Sequence, residues 1–199
     1  MNPLTPQEVL DIFSEAGGLL KGHFLLTSGL HSNTYLEKFQ VLQHPKYTER
    51  LCAELARRFA GEGVEVVVGP VTGGIILAYE VARQLGARAI FTEREGGVMC
   101  LRRGFAVNPG EKVLVVEDIV TTGGSVQEVL SVLQRTPGQI VGVGLLIDRS
   151  GGKVDFGVPT EALLKLDIDA WEPSDCPLCR ENMPITKRGS RQIVANEGV

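Results

Sequence analysis

An acidic pair followed by a run of hydroxyl and glycine residues is the richest chemical pattern in the chain. Glu117 and Asp118 follow the apolar residues 113–116, and they precede Thr121, Thr122, Gly123, Gly124 and Ser125. If a strand ends here and a helix begins after the turn, backbone N–H groups of residues 122–125 can surround an anion at the positive end of the helix. Two carboxylates repel a phosphate, but they fit vicinal sugar hydroxyls or a Mg²⁺ ion that those hydroxyls also bind. The pattern predicts a phosphorylated sugar as the ligand. The alternative is an acidic helix cap on an ordinary α/β turn.

Two more segments place polar or glycine residues after an apolar run. Residues 69–74 follow the apolar residues 64–68 and include Thr72, Gly73 and Gly74, where glycine permits close approach of a ligand to the backbone. Asp148 and Arg149 follow the last long apolar run. The chain has no G-x-x-x-x-G-K-[ST] segment, so a nucleoside triphosphate is not indicated.

The order of the elements explains how these segments could meet. The sequence predicts strands at 64–68, 87–92, 112–116 and 140–147, and helices at 45–60, 75–85 and 126–133. Strands made of continuous apolar residues that alternate with helices are typical of a doubly wound, mainly parallel α/β sheet. Right-handed crossovers bring the loops after the strands to one edge, where open sheets bind ligands. We therefore expect residues 69–74, 93–94, 117–125 and 148–149 to converge.

The remaining chain divides into three predicted parts. Residues 1–44 hold a helix that begins after Thr5 and two short strands at 24–28 and 34–39, and we call this part the hood. Residues 45–185 form the α/β core, with a glycine-rich, irregular loop at 95–110, and residues 186–199 form a polar tail.

Composition limits the class of protein. The chain has 199 residues and a net charge of −4, which argues against nucleic acid or an anionic membrane surface as partners. No apolar run approaches the roughly 20 residues of a membrane span, and the first residues lack the pattern of a signal peptide. We expect a cytoplasmic protein.

The four cysteines include one C-x-x-C pair, Cys176 and Cys179. The pair offers two soft ligands, whereas a tetrahedral Zn²⁺ site needs four, and the neighbouring sequence has neither a second such pair nor two histidines. We expect reduced thiols or a disulfide here. The alternative is a zinc site that two symmetry-related pairs complete across a dimer.

Residues 113–125 closely resemble the 5-phosphoribosyl-1-diphosphate (PRPP) signature of the type I phosphoribosyltransferases. The resemblance implies that Glu117 and Asp118 contact the ribose hydroxyls of PRPP and that residues 121–125 hold its 5′-phosphate. Residues 69–74 are similar to the pyrophosphate loop of that family, and Mg²⁺ is the implied cofactor. The PRPP-binding residues that follow from it are Glu117, Asp118, Ile119, Val120, Thr121, Thr122, Gly123, Gly124, Ser125, Thr72, Gly73 and Gly74.

The hood narrows the resemblance to the orotate phosphoribosyltransferases. Its S-G-x-x-S-x-x-Y segment begins at Ser28 and ends at Tyr35. This implies that Ser28, Tyr35, Thr121 and Arg149 contact orotate, with Arg149 facing its carboxylate. It also implies transfer of the phosphoribosyl group to orotate, giving orotidine 5′-monophosphate and pyrophosphate in pyrimidine (UMP) biosynthesis. A homodimer is implied too, with the mobile loop reaching the neighbouring site.

Some residues depart from the pattern. Thr27 and Gly73 stand where many orotate enzymes have lysine, and the loop at 95–110 contains neither lysine nor histidine. Departing pyrophosphate needs positive charge, so the candidate catalytic residues are Arg94, Arg102 and Arg103. Arg102 and Arg103 are adjacent, so we expect only one to point inward. The alternative is a solvated hairpin of mixed charge.

His23 and His31 are expected to be structural, because transfer to an anionic base needs no strong general base. Two rival functions remain at this point: transfer to a purine base, and non-catalytic sensing of PRPP. The second usually needs a DNA-binding segment, and we find neither a helix-turn-helix pattern before residue 60 nor a basic excess.

Overall fold

A computed structural model describes residues 3–188 of the chain. The helices are α1 (Pro6–Glu15), α2 (Lys38–Leu42), α3 (Pro45–Phe59), α4 (Gly73–Leu85), α5 (Gly124–Leu133) and α6 (Pro177–Arg180). The strands are β1 (Leu19–Leu25), β2 (His31–Leu36), β3 (Val66–Pro70), β4 (Arg88–Glu95), β5 (Val98–Leu101), β6 (Lys112–Val120), β7 (Gln139–Asp148), β8 (Thr160–Lys165), β9 (Ala170–Trp171) and β10 (Thr186–Lys187).

Six strands form the large sheet, in the order β5-β4-β3-β6-β7-β8. All neighbours pair in parallel except β4 and β5, which form an antiparallel hairpin at the edge. The predicted mainly parallel α/β sheet is therefore confirmed. Strand β8 was not predicted from the sequence.

Both faces of the large sheet are buried, which explains the uninterrupted apolar runs. Val67 and Leu114 pack with residues of α1, α3 and α4 on one face. Val66 and Val113, their neighbours in sequence, pack with residues of α5 on the other face. Successive side chains of a strand point to opposite faces, so each run supplies both cores at once.

The small sheet has the order β10-β1-β2-β9 and draws on both ends of the chain. Strands β1 and β2 form the predicted hood hairpin, although β1 begins at Leu19. Strand β9 pairs with β2, and β10 pairs with β1. The sequence analysis had placed these two strands in the core and in the polar tail. Residues 189–199 of that predicted tail lie outside the described residues.

Two predicted loops contain more regular structure than expected. Strand β6 continues through Glu117 and Asp118 to Val120, because Glu117 still pairs with Leu145 of β7. The first part of the predicted irregular loop is the β4–β5 hairpin, which turns at Gly96 and Gly97 with positive φ angles of 58° and 86°. Within the described residues, no helix combines the length and apolar character needed to cross a membrane.

Candidate functional site

A cavity of about 670 Å³ lies at the carboxyl edge of the large sheet, and of the four segments expected to converge, 93–94 and 117–125 contribute to its lining whereas 69–74 and 148–149 do not. Strand β6 and the turn that follows it form the floor, and the small sheet contributes the opposite side. The residues that line the cavity are Thr27, Tyr35, Glu37, Lys38, Phe39, Arg94, Glu117, Ile119, Val120, Thr121, Thr122, Gly123, Gly124, Ser125, Val126 and Glu128.

The turn before α5 has the geometry of an anion site. Helix α5 begins at Gly124, and Thr122 and Ser125 bring hydroxyl groups to the cavity wall. Gly123 has a φ angle of +79°, and a Cβ atom there would lie 2.7 Å from Cγ1 of Val154. Only glycine fits this position without strain. The turn therefore lines the cavity at the N-terminus of α5, where the helix dipole favours a phosphate.

The two acids differ in their surroundings. Glu117 lines the cavity and is 8% exposed, whereas Asp118 is 1% exposed and lies behind it. Nζ of Lys38 lies 3.0 Å from Oδ1 and 2.8 Å from Oδ2 of Asp118. The backbone N–H of Ile119 donates to Oδ1 of Asp118 at 2.7 Å, and that of Asp118 donates to Glu117 Oε1 at 3.0 Å.

Burial controls the ionisation of the pair. Burial, and then the charge of Asp118, raise the pKa of Glu117 to about 8. Burial also raises the pKa of Asp118, although Lys38 opposes the shift. The protein therefore holds a carboxylate pair that gains from a ligand able to donate hydrogen bonds or positive charge.

Lys38 is a site residue that the sequence analysis missed. Its Cε atom lies 3.5 Å from the place where a Cβ atom of residue 73 would stand. A side chain at Gly73 would also overlap the Asp118 carboxylate. Glycine at 73 thus leaves room for the Lys38–Asp118 pair. No local motif marks Lys38, which follows Tyr35 by three residues.

The predicted pyrophosphate loop closes tightly on itself. A Cβ atom at Gly69 would overlap the carbonyl oxygen of Gly74, and one at Gly74 would lie 2.8 Å from Cδ of Pro70. The Val71–Thr72 peptide bond is cis. Thr72 is exposed, whereas Gly73 and Gly74 are buried at the start of α4. These residues lie beside Asp118 and outside the lining of the cavity itself.

The three candidate arginines do not occupy equivalent places. Arg94 lines the cavity, contacts Glu128 at 2.7 Å and donates to the carbonyl oxygen of Gly97 at 2.9 Å. Arg102 contacts Glu95 at 3.1 Å and Arg103 contacts Glu93 at 3.0 Å, both with exposed side chains. The structure thus brings Arg94 to the cavity and leaves Arg102 and Arg103 on the hairpin surface.

The residues expected to contact orotate are partly assembled. Tyr35 and Thr121 line the cavity, whereas Ser28 is exposed and outside its lining; the neighbouring Thr27 lies there instead. Nε of Arg149 is buried with no hydrogen-bond partner among residues 3–188. Burial lowers the pKa of Arg149, and the same effect raises the pKa of the nearby Tyr35 hydroxyl. A half-buried guanidinium with a buried, unused Nε–H donor fits an anionic ligand.

A second polar cluster lies within the small sheet. His23 and His31 approach Cys176 and Cys179, and the four ligand atoms all lie within 4.8 Å of one another. The sequence analysis found no histidines near this C-x-x-C pair, because both are about 150 residues away along the chain. The fold brings His23 on β1 and His31 on β2 next to the pair. One chain therefore offers four possible metal ligands, which corrects the expectation that a zinc site would need a second chain.

Comparison with known proteins agrees with this architecture. The model of the phosphoribosyl transferase domain matches residues 40–158. An orotate phosphoribosyltransferase of Desulforamulus reducens is 58% identical over 187 residues, covering 94% of this chain and 98% of the relative. One of Pelotomaculum thermopropionicum is 56% identical over 190 residues, covering 96% and 100%.

The fold is also found among solved structures. Orotate phosphoribosyltransferase from Aeropyrum pernix superposes with a TM-score of 0.64 at 24% identity, covering 79% of this chain and 93% of that one. This likeness concerns the fold, whereas the curated relatives match nearly the whole sequence at more than half of its positions. The chain therefore belongs to the phosphoribosyltransferase family, in its orotate phosphoribosyltransferase branch.

Proposed function

We propose that this protein transfers the 5-phosphoribosyl group of PRPP to orotate, giving orotidine 5′-monophosphate and pyrophosphate. One observation carries the proposal: the anion turn of α5, Glu117 with Asp118 behind it, and Tyr35 lie around one cavity, with the half-buried Arg149 next to Tyr35. The turn matches a phosphate, the acidic pair matches a ribose, and Tyr35 with Arg149 matches a flat anionic base. The relatives described above carry the same activity in their names.

The residues divide the work along the substrate. The N–H groups of the α5 turn, with the hydroxyls of Thr121, Thr122 and Ser125, bind the 5′-phosphate. Glu117 and Asp118 accept hydrogen bonds from the ribose hydroxyls and stabilise the positive charge that grows on the sugar as the bond to pyrophosphate breaks. Arg94 and Lys38 face the leaving pyrophosphate. Arg149 binds the orotate carboxylate and holds the ring nitrogen toward the reacting carbon.

Mg²⁺ fits the donor set as a substrate-bound cofactor. The ion prefers oxygen ligands and keeps several waters, so it needs one or two carboxylates beside substrate oxygens. Glu117, which lines the cavity and has no lysine on it, is the carboxylate that would hold it, while Lys38 already neutralises Asp118. When bound, Mg²⁺ neutralises charge on the departing pyrophosphate.

Replacing Arg149 by Ala tests the choice of base. The charge-assisted hydrogen bonds to the orotate carboxylate are worth about 1.5–3 kcal/mol, so the KM for orotate should rise about 10- to 150-fold, with little change for PRPP. Steady-state rates with both substrates varied measure this. Arg135→Ala, on the exposed end of the α5 segment, is the matched control.

The same assay separates the rival functions. Wild-type protein should release pyrophosphate from PRPP with orotate and not with hypoxanthine, guanine or adenine. Turnover with a purine base instead would replace the assignment with a purine transferase. Tight PRPP binding without turnover of any base would indicate a sensor.

The arginines of the hairpin make a graded prediction. Arg94→Ala should lower kcat/KM by about 10²- to 10³-fold, the usual effect of removing one preorganised donor from a developing charge. Arg102→Ala and Arg103→Ala should cost less, because both side chains are exposed and paired with Glu95 and Glu93 on the hairpin. Single-substitution kinetics give the order. Three equal losses, or none, would contradict these roles.

A homodimer is supported by an exposed apolar patch on α4. Tyr79 is 67% exposed and Ile76 36%, and they border a groove of about 490 Å³ whose other walls include Leu42 and Pro45. An apolar surface of this kind fits a second copy of the chain, as the family resemblance implies. Sedimentation equilibrium should give twice the mass of one chain.

The setting of the reaction follows from the same proposal. Orotidine 5′-monophosphate is the precursor of UMP, which places the enzyme in pyrimidine biosynthesis. A net charge of −4 supports small-molecule substrates in place of nucleic acid or membrane partners.

A further inference from the structure

The small sheet and the C-terminal segment meet in a cluster of two histidines and two cysteines. His23 lies on β1 and His31 on β2, Cys176 precedes α6, and Cys179 lies within it. His23 Nε2 is 3.0 Å from His31 Nδ1 and 3.5 Å from Cys176 Sγ. Cys179 Sγ is 3.7 Å from His23 Nε2 and 3.2 Å from His31 Nδ1.

These distances match the edges of a tetrahedron around one metal ion. With Zn–N bonds of about 2.0–2.1 Å and Zn–S bonds of about 2.3 Å, a tetrahedral site has N–N edges of about 3.3 Å and N–S edges of about 3.6 Å. The four separations given above fall within about 0.4 Å of those values. All four donor atoms also lie within 4.8 Å of one another, so the four side chains share one small space.

Hydrogen bonding fixes His23 in the ligand form. Its Nδ1 lies 2.8 Å from the carbonyl oxygen of Met183, so Nδ1–H donates there and Nε2 keeps its lone pair for the cluster. A histidine that binds a metal through one ring nitrogen usually donates a hydrogen bond from the other, for example to a backbone carbonyl. Such a contact sets the direction of the ring before any ion binds.

Burial distinguishes the cluster from a surface chelate. His23 is 3% exposed, His31 7% and Cys176 1%. The lone pairs of the two imidazoles and the two thiols face one another in this buried space. A single cation would give all four of them a partner. Four protein ligands also leave no open position for water or substrate, which is the mark of a structural site.

We propose that His23, His31, Cys176 and Cys179 bind one structural Zn²⁺ ion within a single chain. Two thiolate and two imidazole ligands suit zinc, whereas Mg²⁺ prefers oxygen. Binding releases the two thiol protons to solvent, since cysteine coordinates as the thiolate. The site does not depend on the proposed activity.

The ion would connect parts of the chain that are far apart in sequence. Strands β1 and β2 carry the turn with Thr27 and the strand with Tyr35, both of which line the substrate cavity. The C-terminal segment pairs with that hairpin only through the two-residue strands β9 and β10, and side-chain contacts such as that of His23 with Met183 add to this pairing. The zinc site thus fastens one wall of the cavity.

Metal analysis of the purified protein tests the proposal. Full-length protein expressed with zinc present, then desalted, should contain about one zinc per chain by mass spectrometry of the metal. Replacing zinc by Co²⁺ should give the visible absorption of a tetrahedral cobalt–thiolate site. Cys176→Ser and Cys179→Ser should each lose the zinc and the cobalt spectrum, whereas Cys100→Ser, the matched control outside the cluster, should keep both.

Chelation of the wild-type protein provides a measurement that needs no variant. A strong zinc chelator should lower Tm, adding zinc back should restore it, and Mg²⁺ should not. Less than about one-tenth of a zinc per chain, with no cobalt spectrum, would overturn the proposal. So would a Cys176–Cys179 disulfide in the freshly purified protein, or zinc that survives both cysteine substitutions.

Discussion

Glu117→Gln will remove most of the turnover and make the fold more stable. The carboxylate accepts charge-assisted hydrogen bonds from the ribose, each worth about 1.5–3 kcal/mol, so kcat/KM should fall about 10- to 150-fold or more. Stability moves the other way because burial and Asp118 raise the pKa of Glu117 above its unfolded value. The folded protein then binds this proton more tightly than the unfolded chain does. Its stability falls as pH rises from the unfolded pKa, near 4.5, through the raised one.

The pH dependence gives the sharpest measurement. Urea unfolding at pH 5 and pH 8.5 should show a smaller loss of stability with rising pH in Glu117→Gln than in the wild type. Binding of PRPP with Mg²⁺ near pH 7 should release protons from the wild type, seen by calorimetry in two buffers of different ionisation enthalpy. Glu161→Gln, at an exposed position of β8, is the control. A less stable variant with full activity would refute both roles.

Lys38→Met will lower both stability and turnover. Asp118 is almost fully buried, and Lys38 is its charged partner. Removing one member of a buried pair costs about 3–5 kcal/mol, and we expect the lower end because the Lys38 side chain is 33% exposed. Turnover should fall about 10²- to 10³-fold, since Lys38 also supplies positive charge beside the pyrophosphate loop.

A double substitution separates the two effects. Lys38→Met combined with Asp118→Asn removes both charges, so it should recover much of the lost stability and none of the lost activity. Lys38→Arg keeps the charge and should retain more turnover than Lys38→Met. Unfolding in urea and steady-state rates give both quantities. If Lys38→Met turned over normally, the lysine would be only a structural partner of Asp118.

The sequence predicted the large sheet and the phosphate turn because both depend on local patterns. Apolar runs of strand length separated by helices specify a parallel sheet, and the carboxyl edge of that sheet follows from handedness alone. Glu117 and the α5 turn lie within one continuous string, so their proximity needed no tertiary information.

What could not be predicted depends on contacts between distant segments. Lys38 meets Asp118 across 80 residues of sequence, and His23 meets Cys176 across 153. No spacing rule connects such pairs. The ranking of Arg94 above Arg102 and Arg103 also needed the fold, because all three carry the same charge and only packing decides which one reaches the cavity.

The order of synthesis determines when the small sheet can be completed. A ribosome makes His23 long before Cys176, and at about 5–20 residues per second the interval is roughly 8–30 s. During that time the β1–β2 hairpin, which carries Tyr35, has neither of its neighbouring strands, β9 and β10. Any nascent chain shorter than about 187 residues therefore has a large sheet that can form and a cavity with one unfinished wall. The wall that carries Tyr35 therefore gains its last pairing strand only after residue 187 has been made.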